Sequence, residues 1–189
     1  SIWIGKVKRL KLEGYALGTL PKLKFHEENV MEELKLDADK PEHITEILKE
    51  ENKNILGWVG KAKNLILNKY AVEALPKLKL HEENEMEFLE LRAEYPGEIS
   101  EILKMDNNSL LIGRVKRLEL RWQAVRILPK LKLHEENAVE ELALFAGEAE
   151  ISEILKIENS SIWIGKVKRL KLEGYALGTL PKLKFHEEN

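Results

Sequence analysis

The hexapeptide Val7-Lys-Arg-Leu10-Lys-Leu12 has the pattern apolar-x-x-Leu-x-Leu, and this hexad occurs seven times in the 189-residue chain. Apolar residues that alternate in this way are typical of a short strand that buries one face. A strand that recurs at a nearly fixed interval indicates stacked repeats, each covering the apolar side of its neighbour. The hexads begin at Val7, Met31, Ala62, Met86, Val115, Val139 and Val167.

Two spacings alternate between the hexads, so that a short unit of 24 residues is followed by a long unit of 28 to 31. A second landmark, Pro-Lys-Leu-Lys-Phe/Leu-His-Glu-Glu-Asn, occurs four times at intervals of 52 to 55 residues. We therefore divide a single repeat domain, 1–189, into modules of about 1–52, 53–107 and 108–160 and a partial copy, 161–189. Residues 1–29, the N-terminal repeat, and 161–189, the C-terminal repeat, are identical, which indicates a recent duplication, an engineered copy or a piece of a longer array.

In each short unit the hexad is followed by an apolar residue and a Leu-Pro pair, as at Leu17 and Leu20-Pro21. The hexad and the Leu-Pro pair together resemble the leucine-rich repeat family, whose pattern is Leu-x-x-Leu-x-Leu-x-x-Asn-x-Leu-x-x-Leu-Pro. The resemblance covers nearly the whole chain. It implies an α/β fold, a leucine-rich-repeat-like solenoid with a parallel sheet on the concave face and short helices on the convex face.

The chain departs from the family at the position of the buried Asn. In the family that side chain satisfies backbone groups in the turn after each strand. Since buried backbone groups are almost always hydrogen-bonded, we expect a different device to satisfy these turns. The residues at that position are Tyr15, Asp39, Tyr70, Glu94, Gln123, Gly147 and Tyr175.

The long units carry apolar residues at i, i+3 and i+4, as in Ile44-Thr-Glu-Ile47-Leu48. This spacing predicts short helices with a narrow buried stripe, and Pro41 and Pro96 are placed as first-turn prolines. Asn residues at 52, 107 and 159 suit the left-handed conformation of helix exits. Apolar segments that end in Gly, at 2–5, 55–60, 110–113 and 162–165, then lead back to the next strand.

A second interpretation applies to the Leu-Pro segments. Leu20-Pro-Lys-Leu23-Lys-Phe25 is also apolar-x-x-Leu-x-apolar, so it could be another strand. The chain would then be an all-β solenoid with faces about 12 residues apart. Since Leu-Pro segments in leucine-rich repeats are either extended or a single helical turn, both interpretations stay open.

The composition excludes some functions and leaves the compartment open. Lys and Arg number 31 against 33 Asp and Glu, so a net charge of -2 gives no overall attraction to nucleic acid or an anionic membrane. The apolar runs are far shorter than the roughly 20 residues that span a bilayer, so we expect no membrane span. Cysteine is absent, and sequons at Asn107 and Asn159 permit secretion without indicating it. The sequence given starts at Ser1 without Met or a leader pattern, so we expect targeting information to be either absent or already removed.

Four histidines share one position, and each precedes Glu-Glu-Asn: His26, His81, His134 and His186. A zinc-protease helix needs a second His one turn later, but Val30 stands there after His26. Stacked His and Glu side chains that bind a divalent ion are the alternative to solvated turn residues. With no phosphate loop, nucleophile elbow or Cys-His arrangement, we expect no enzyme activity and no cofactor.

Four tryptophans divide into two groups. Trp3, Trp58 and Trp163 lie in the apolar segments that lead to the next strand, which predicts packing in the core or between modules. Trp122 follows a hexad strand among arginines, where an aromatic side chain either anchors a partner or is buried in the turn.

The variable positions of the hexads are predicted to lie on the concave face. Their net charges run +3, -1, +1, -2, +1, -2 and +3, which sets opposite signs on adjacent strands and leaves no continuous basic track for nucleic acid. Such a ladder either only fixes the strand register or also binds a protein partner. Because Ile66 and Phe88 interrupt the charges, we predict a partner-binding patch of Ile66, Phe88, Glu90, Arg117 and Trp122.

The alternative function is structural. Verbatim repetition of surface residues favours an element of a long tandem-repeat array, such as a surface layer or fibre, that self-associates end to end. In that case we expect open sheet edges at both ends of the chain.

Overall fold

The computed structural model describes residues 1–49, 62–78, 80 and 85–187. The predictions for Asn52, 55–60, Trp58 and His81 lie outside these residues. The fold is α/β, with a large parallel sheet and short helices. The strands are β1 Ile2–Gly5, β2 Arg9–Glu13, β3 Leu23–Phe25, β4 Glu33–Ala38, β5 Asn64–Lys69, β6 Glu85–Ala93, β7 Leu110–Leu111, β8 Arg114–Trp122, β9 Leu131–Lys132, β10 Ala138–Ala146, β11 Ile162–Gly174 and β12 Leu183–Phe185.

All seven hexads contribute to strands of the large sheet. Within the described residues, the sheet has eight strands in the order β12-β11-β10-β8-β6-β5-β4-β2, and each pair of neighbours is parallel. The fourth-position leucines are aligned across it without a register slip. They are Leu10, Leu34, Leu65, Leu89, Leu118, Leu142 and Leu170.

The aligned leucines form the core. Those on β4, β5, β6, β8 and β10 are at most 1% exposed, whereas those on β2 and β11 are half-buried. Burying one leucine side chain contributes about 1.5–3 kcal/mol, so these residues are a major source of the sheet's stability. Because a slip of one residue would turn every leucine to solvent, they also fix the strand register.

Each short unit continues from its strand into a 3₁₀ helix. Leu17 and Leu20 are spaced by three residues, which matches the three residues per turn of a 3₁₀ helix and places both on the buried side. The equivalent Val72, Leu75 and Leu78 are also buried. These 3₁₀ helices are Gly14–Lys22, Tyr70–Leu78, Gln123–Lys130 and Tyr175–Lys182.

The long units contain the predicted short helices: α1 Thr45–Leu48, α2 Ser100–Leu103 and α3 Glu148–Ile154. The 3₁₀ turns Pro41–Ile44 and Pro96–Ile99 precede α1 and α2, and their prolines stand in the first turn as predicted. The left-handed residues at the exits are Asn108 and Ser160, one position after the predicted Asn107 and Asn159.

Three of the segments that lead back to a hexad, 2–5, 110–113 and 162–165, contain strands, and the fourth, 55–60, lies outside the described residues. β1 pairs with β3, β7 with β9, and the start of β11 with β12, all in parallel. Leu20 and Pro21 therefore belong to the 3₁₀ helix, and only Leu23–Phe25 is extended. Each interpretation of the Leu-Pro segment is right for one half of it, because Pro21 has no N–H to donate to a strand ladder.

In two of the long units a glutamate takes the place of the missing Asn, Glu98 buried and Glu150 half-buried. Glu98 Oε2 accepts hydrogen bonds from the backbone N–H groups of Glu94, at 2.6 Å, and Tyr95, at 3.2 Å. Glu150 Oε2 accepts one from Gly147 at 2.7 Å. The sequence signal for this device was a Glu at the third position of the helix, which is a capping-box residue.

The tryptophan predictions meet different outcomes. Trp3 is 64% exposed, so the prediction that it packs in the core or between modules is wrong. The identical Trp163 is half-buried beside Leu131 and Ile157 of the preceding module. The difference arises because no described residue covers that side of the N-terminal repeat.

No helix among the described residues combines the length and the apolar character needed to cross a bilayer.

Candidate functional site

The ladder face is the side of the large sheet opposite its buried leucines. Its side chains form three rows that cross adjacent strands. The first row is Arg9, Glu33, Asn64, Phe88, Arg117, Glu141 and Arg169; the second is Lys11, Lys35, Ile66, Glu90, Glu119, Ala143 and Lys171; the third is Glu13, Asp37, Asn68, Arg92, Arg121, Phe145 and Glu173.

Ion pairs between neighbouring strands stabilise part of this face. Glu141 Oε1 lies 3.8 Å from Arg117 Nη2 on β8, and its Oε2 lies 3.5 Å from Arg169 Nε on β11. Arg9 Nε lies 3.7 Å from Glu32 Oε2. Such exposed pairs contribute about 0–1 kcal/mol each, so they fix register more than they stabilise the fold.

The centre of the ladder face departs from this alternation of charge. Glu90 on β6 and Glu119 on β8 are direct register partners, and their side chains are only 21% and 12% exposed. Arg121 is close to both, with its Nε 3.7 Å from Glu90 Oε1 and its guanidinium in direct contact with Glu119. One cation is thus shared by two carboxylates that repel each other.

This environment raises the pKa of Glu90 above its ordinary value of 4.5. The largest cause is burial, and the charge of Glu119 acts in the same direction. Arg121 and Lys35 lower it by a smaller amount. Ionised Glu90 is therefore less favourable in the folded chain than in the unfolded one.

We expect Glu90→Gln to raise the free energy of unfolding relative to wild type, by an amount that increases with pH. Because the folded pKa is raised, the contribution of Glu90 to stability is present below about pH 4 and is lost as the pH rises through the folded pKa. Gln cannot ionise, so the variant avoids that loss. Urea denaturation between about pH 4 and pH 8 measures the difference. Glu140→Gln, at an exposed position of β10 outside the three rows, is the matched control. A difference that shrinks with pH would contradict this assignment.

Aromatic side chains lie under cations on both sides of the carboxylate pair. The Arg117 guanidinium lies 5.0 Å from the ring centroid of Phe88. On the other side, the Arg121 guanidinium lies 4.1 Å and Lys171 Nζ 5.2 Å from the centroid of Phe145. These cation–π contacts hold the cations over the rings and leave both phenylalanines half-buried.

The structure brings four of the five predicted site residues together. Ile66, Phe88, Glu90 and Arg117 lie on the adjacent strands β5, β6 and β8, with Ile66 the direct partner of Glu90 and Phe88 the direct partner of Arg117. We call these four residues and Glu119 the central patch.

Trp122 does not join the central patch. It lies opposite Ala93 at the end of β8, outside the three rows, and is exposed. Its backbone is left-handed, with φ 56° and ψ -126°, the conformation that Gly174 adopts at the equivalent position with φ 63° and ψ -133°. A bulky residue rarely adopts this conformation, which costs about 1–3 kcal/mol.

Sequence reasoning missed the third row and the role of Glu119. The hexad ends one position before the third row, although the alternation of buried and exposed residues continues through Arg121 and Phe145. Extending the pattern by one residue would have found that row. The clustering of Glu90, Glu119 and Arg121 depends on strand order, which the repeat spacing implies.

The histidines occupy turns. The Nδ1 atoms of His26 and His134 accept hydrogen bonds from the backbone N–H groups of Glu28, at 3.2 Å, and Glu136, at 3.1 Å. Among the described residues, no three His, Asp or Glu side chains are arranged to hold a metal ion.

Comparison with known proteins found no matching family model, no matching curated protein and no matching solved structure. The function is therefore inferred from the central patch and the two identical repeats alone.

Proposed function

We propose that this chain is a leucine-rich-repeat-like solenoid that binds a protein partner through the concave face of its sheet, at the central patch. The parallel, in-register pairing of all seven hexads and the helices that follow the long-unit strands support the solenoid architecture. The binding site is inferred from one observation. The carboxylates of Glu90 and Glu119 face each other and share one arginine.

A ladder that only fixed the strand register would place opposite charges on neighbouring strands throughout. Glu141 does so between Arg117 and Arg169, but Glu90 faces Glu119. Like charges also face each other at Lys11/Lys35, Glu13/Asp37 and Arg92/Arg121, where at least one side chain of each pair is 45% exposed or more, whereas Glu90 and Glu119 are both mostly buried. Like charges directly opposite each other destabilise a sheet, and burial makes the cost larger. Costs of this kind are concentrated at sites where a ligand offsets them.

The chemistry of the central patch defines the partner. A Lys or Arg side chain of the partner would add a cation in contact with Glu90 and Glu119, which share the single arginine Arg121 in their ion pairs. Ile66 and Phe88, beside them on β5 and β6, offer an apolar contact to a neighbouring residue. The partner is therefore a protein segment that presents a basic residue flanked by apolar ones, and burying the apolar contact would exclude water from the ion pair.

We expect peptides with a fixed Lys between randomised positions, selected on the wild-type chain from a displayed library, to bind at the central patch. The double change Phe88→Ala with Ile66→Thr is expected to weaken their binding at least tenfold, or about 1.4 kcal/mol, in fluorescence anisotropy titrations. Glu90→Gln is expected to weaken binding while it stabilises the fold.

Lys116→Ala, at an exposed neighbouring position on β8, is the control and is expected to leave binding unchanged. Peptides that bind the double variant as tightly as wild type would exclude the central patch, and the next surface to test would be that around Trp122.

A second candidate function is a structural role in a tandem-repeat array that self-associates end to end. The observation that favours it is the pair of identical repeats, 1–29 and 161–189, which bury opposite sides of the same sequence. Each repeat thus exposes apolar side chains whose equivalents in the other, identical repeat are buried against a neighbouring unit.

A further inference from the structure

The two identical repeats show what normally covers each side of this sequence. Leu17 and Leu20 of the N-terminal repeat are 0% exposed, but the equivalent Leu177 and Leu180 are 62% and 43% exposed. The chemistry of the two pairs is the same, so only the neighbouring unit differs. Leu177 and Leu180 form an uncovered apolar surface on the described part of the C-terminal repeat.

The opposite side of the repeat shows the reverse pattern. Ile2 is 49% exposed, whereas the equivalent Ile162 is 3% exposed beneath the preceding module. Ala16 is exposed and Ala176 is fully buried. Each repeat is therefore held on one side only, and the two repeats are held on opposite sides.

Residues 30–49 cover Leu17 and Leu20. The strand β4 pairs with β2 in register, and the helical segment Pro41–Leu48 packs on the 3₁₀ helix Gly14–Lys22. Tyr15 meets the ring of His43 edge-on, with 4.6 Å between centroids. Leu177, Leu180 and Tyr175 repeat the residues that make these contacts.

We propose that the chain self-associates by segment exchange, in which the C-terminal repeat of one molecule docks on residues 30–49 of another and displaces that molecule's own N-terminal repeat. This inference rests on the second candidate function and specifies the contact that makes the array. The occupant of the surface around Leu177 is thus a second copy of this chain, and Leu177 takes the place that Leu17 holds in the monomer.

The balance of contacts favours this exchange over simple stacking of two molecules. The displaced N-terminal repeat loses its contacts with residues 30–49. The docking C-terminal repeat has the same sequence and therefore makes the same contacts. The docked C-terminal repeat then has both sides covered, and the displaced N-terminal repeat, which was held on one side only, gains conformational freedom. Simple stacking would instead set the Leu177 side against the Ile2 and Trp3 side, a contact between two short units that no part of the described chain contains.

Two matched substitutions test the exchange by sedimentation velocity across about a hundredfold range of concentration. Leu177→Glu is expected to weaken association at least tenfold, because it would bury a charge in the complex while the monomer leaves position 177 in water. Leu17→Glu, the same change in the same sequence, is expected to strengthen association at least tenfold, because it loosens the competing repeat. A third variant, Trp3→Glu, is expected to leave association unchanged.

Amide exchange of the otherwise wild-type chain provides a second measurement. Lys184→Arg, at an exposed position, changes the mass of every peptide that contains position 184, so that these peptides can be told apart from the equivalent ones that contain Lys24. On association, exchange is expected to become faster in residues 9–25 and slower in 169–185.

The outcomes separate the two proposals. Association that Trp3→Glu and Leu17→Glu both weaken would overturn segment exchange in favour of stacking and leave the array function standing. A chain that stays monomeric over the whole range would overturn both.

Discussion

Leu118→Ala is expected to lower the free energy of unfolding by roughly 2–5 kcal/mol, the range found for buried leucine truncations. Leu118 is 1% exposed and lies in register between Leu89 on β6 and Leu142 on β10. Neighbouring strands on both sides leave the site little freedom to collapse, so the truncation should create a cavity. Leu89→Ala is expected to have a cost in the same range.

Urea denaturation with an unchanged m value measures this cost. Lys116→Ala, two residues away on the same strand but exposed, is the control and is expected to cost under about 1 kcal/mol. Equal denaturation midpoints for Leu118→Ala and Lys116→Ala would contradict the placement of the aligned leucines in the core.

Gly174→Ala is expected to lower the free energy of unfolding by at least about 2 kcal/mol. Gly174 has φ +63°, and a Cβ there would lie 2.5 Å from the backbone oxygen of Ala146 on the neighbouring strand. The substitution therefore combines a left-handed backbone with a clash that only a shift of β10 or β11 can relieve.

The identical repeat supplies the control for this prediction. Gly14 has φ +56°, but a Cβ there would meet only the His43 side chain, at 3.7 Å or more. Gly14→Ala should cost about 1 kcal/mol, from the backbone conformation alone. Thermal unfolding of both variants measures the difference, and equal costs would show that the contact with Ala146 does not matter.

Local periodicity was sufficient to predict most of the fold. The alternation in Val115–Leu120 predicted a strand, and the spacing of Ile44, Ile47 and Leu48 predicted a short helix, because both patterns reflect which side chains one neighbour must bury. The resemblance to leucine-rich repeats implied a parallel sheet, and neighbouring strands of the large sheet are parallel with their leucines aligned.

Features that depend on contacts between units were not predictable in this way. β1 and β3 are short and were recognisable as a pair only once Ile2 and Leu23 were seen side by side. The facing of Glu90 and Glu119, by contrast, was missed although aligned hexads set their fifth positions side by side. Trp122 was predicted to join the patch because its sequence neighbours are arginines, but it directly follows Arg121 of the third row and, as the partner of Ala93, lies outside the rows.

The alternation of 3₁₀ helices in short units with α-helices in long units has a consequence for how such a chain can evolve. The side of Gly14–Lys22 that carries Leu17 packs on the helical segment Pro41–Leu48. In the described chain, short units pack only on long units, and long units only on short ones. Unequal recombination between repeats can therefore add or remove only pairs of units without creating a mismatched junction. Viable lengths of this chain should differ by whole modules of 52 to 55 residues, the interval between its Pro-Lys-Leu-Lys blocks.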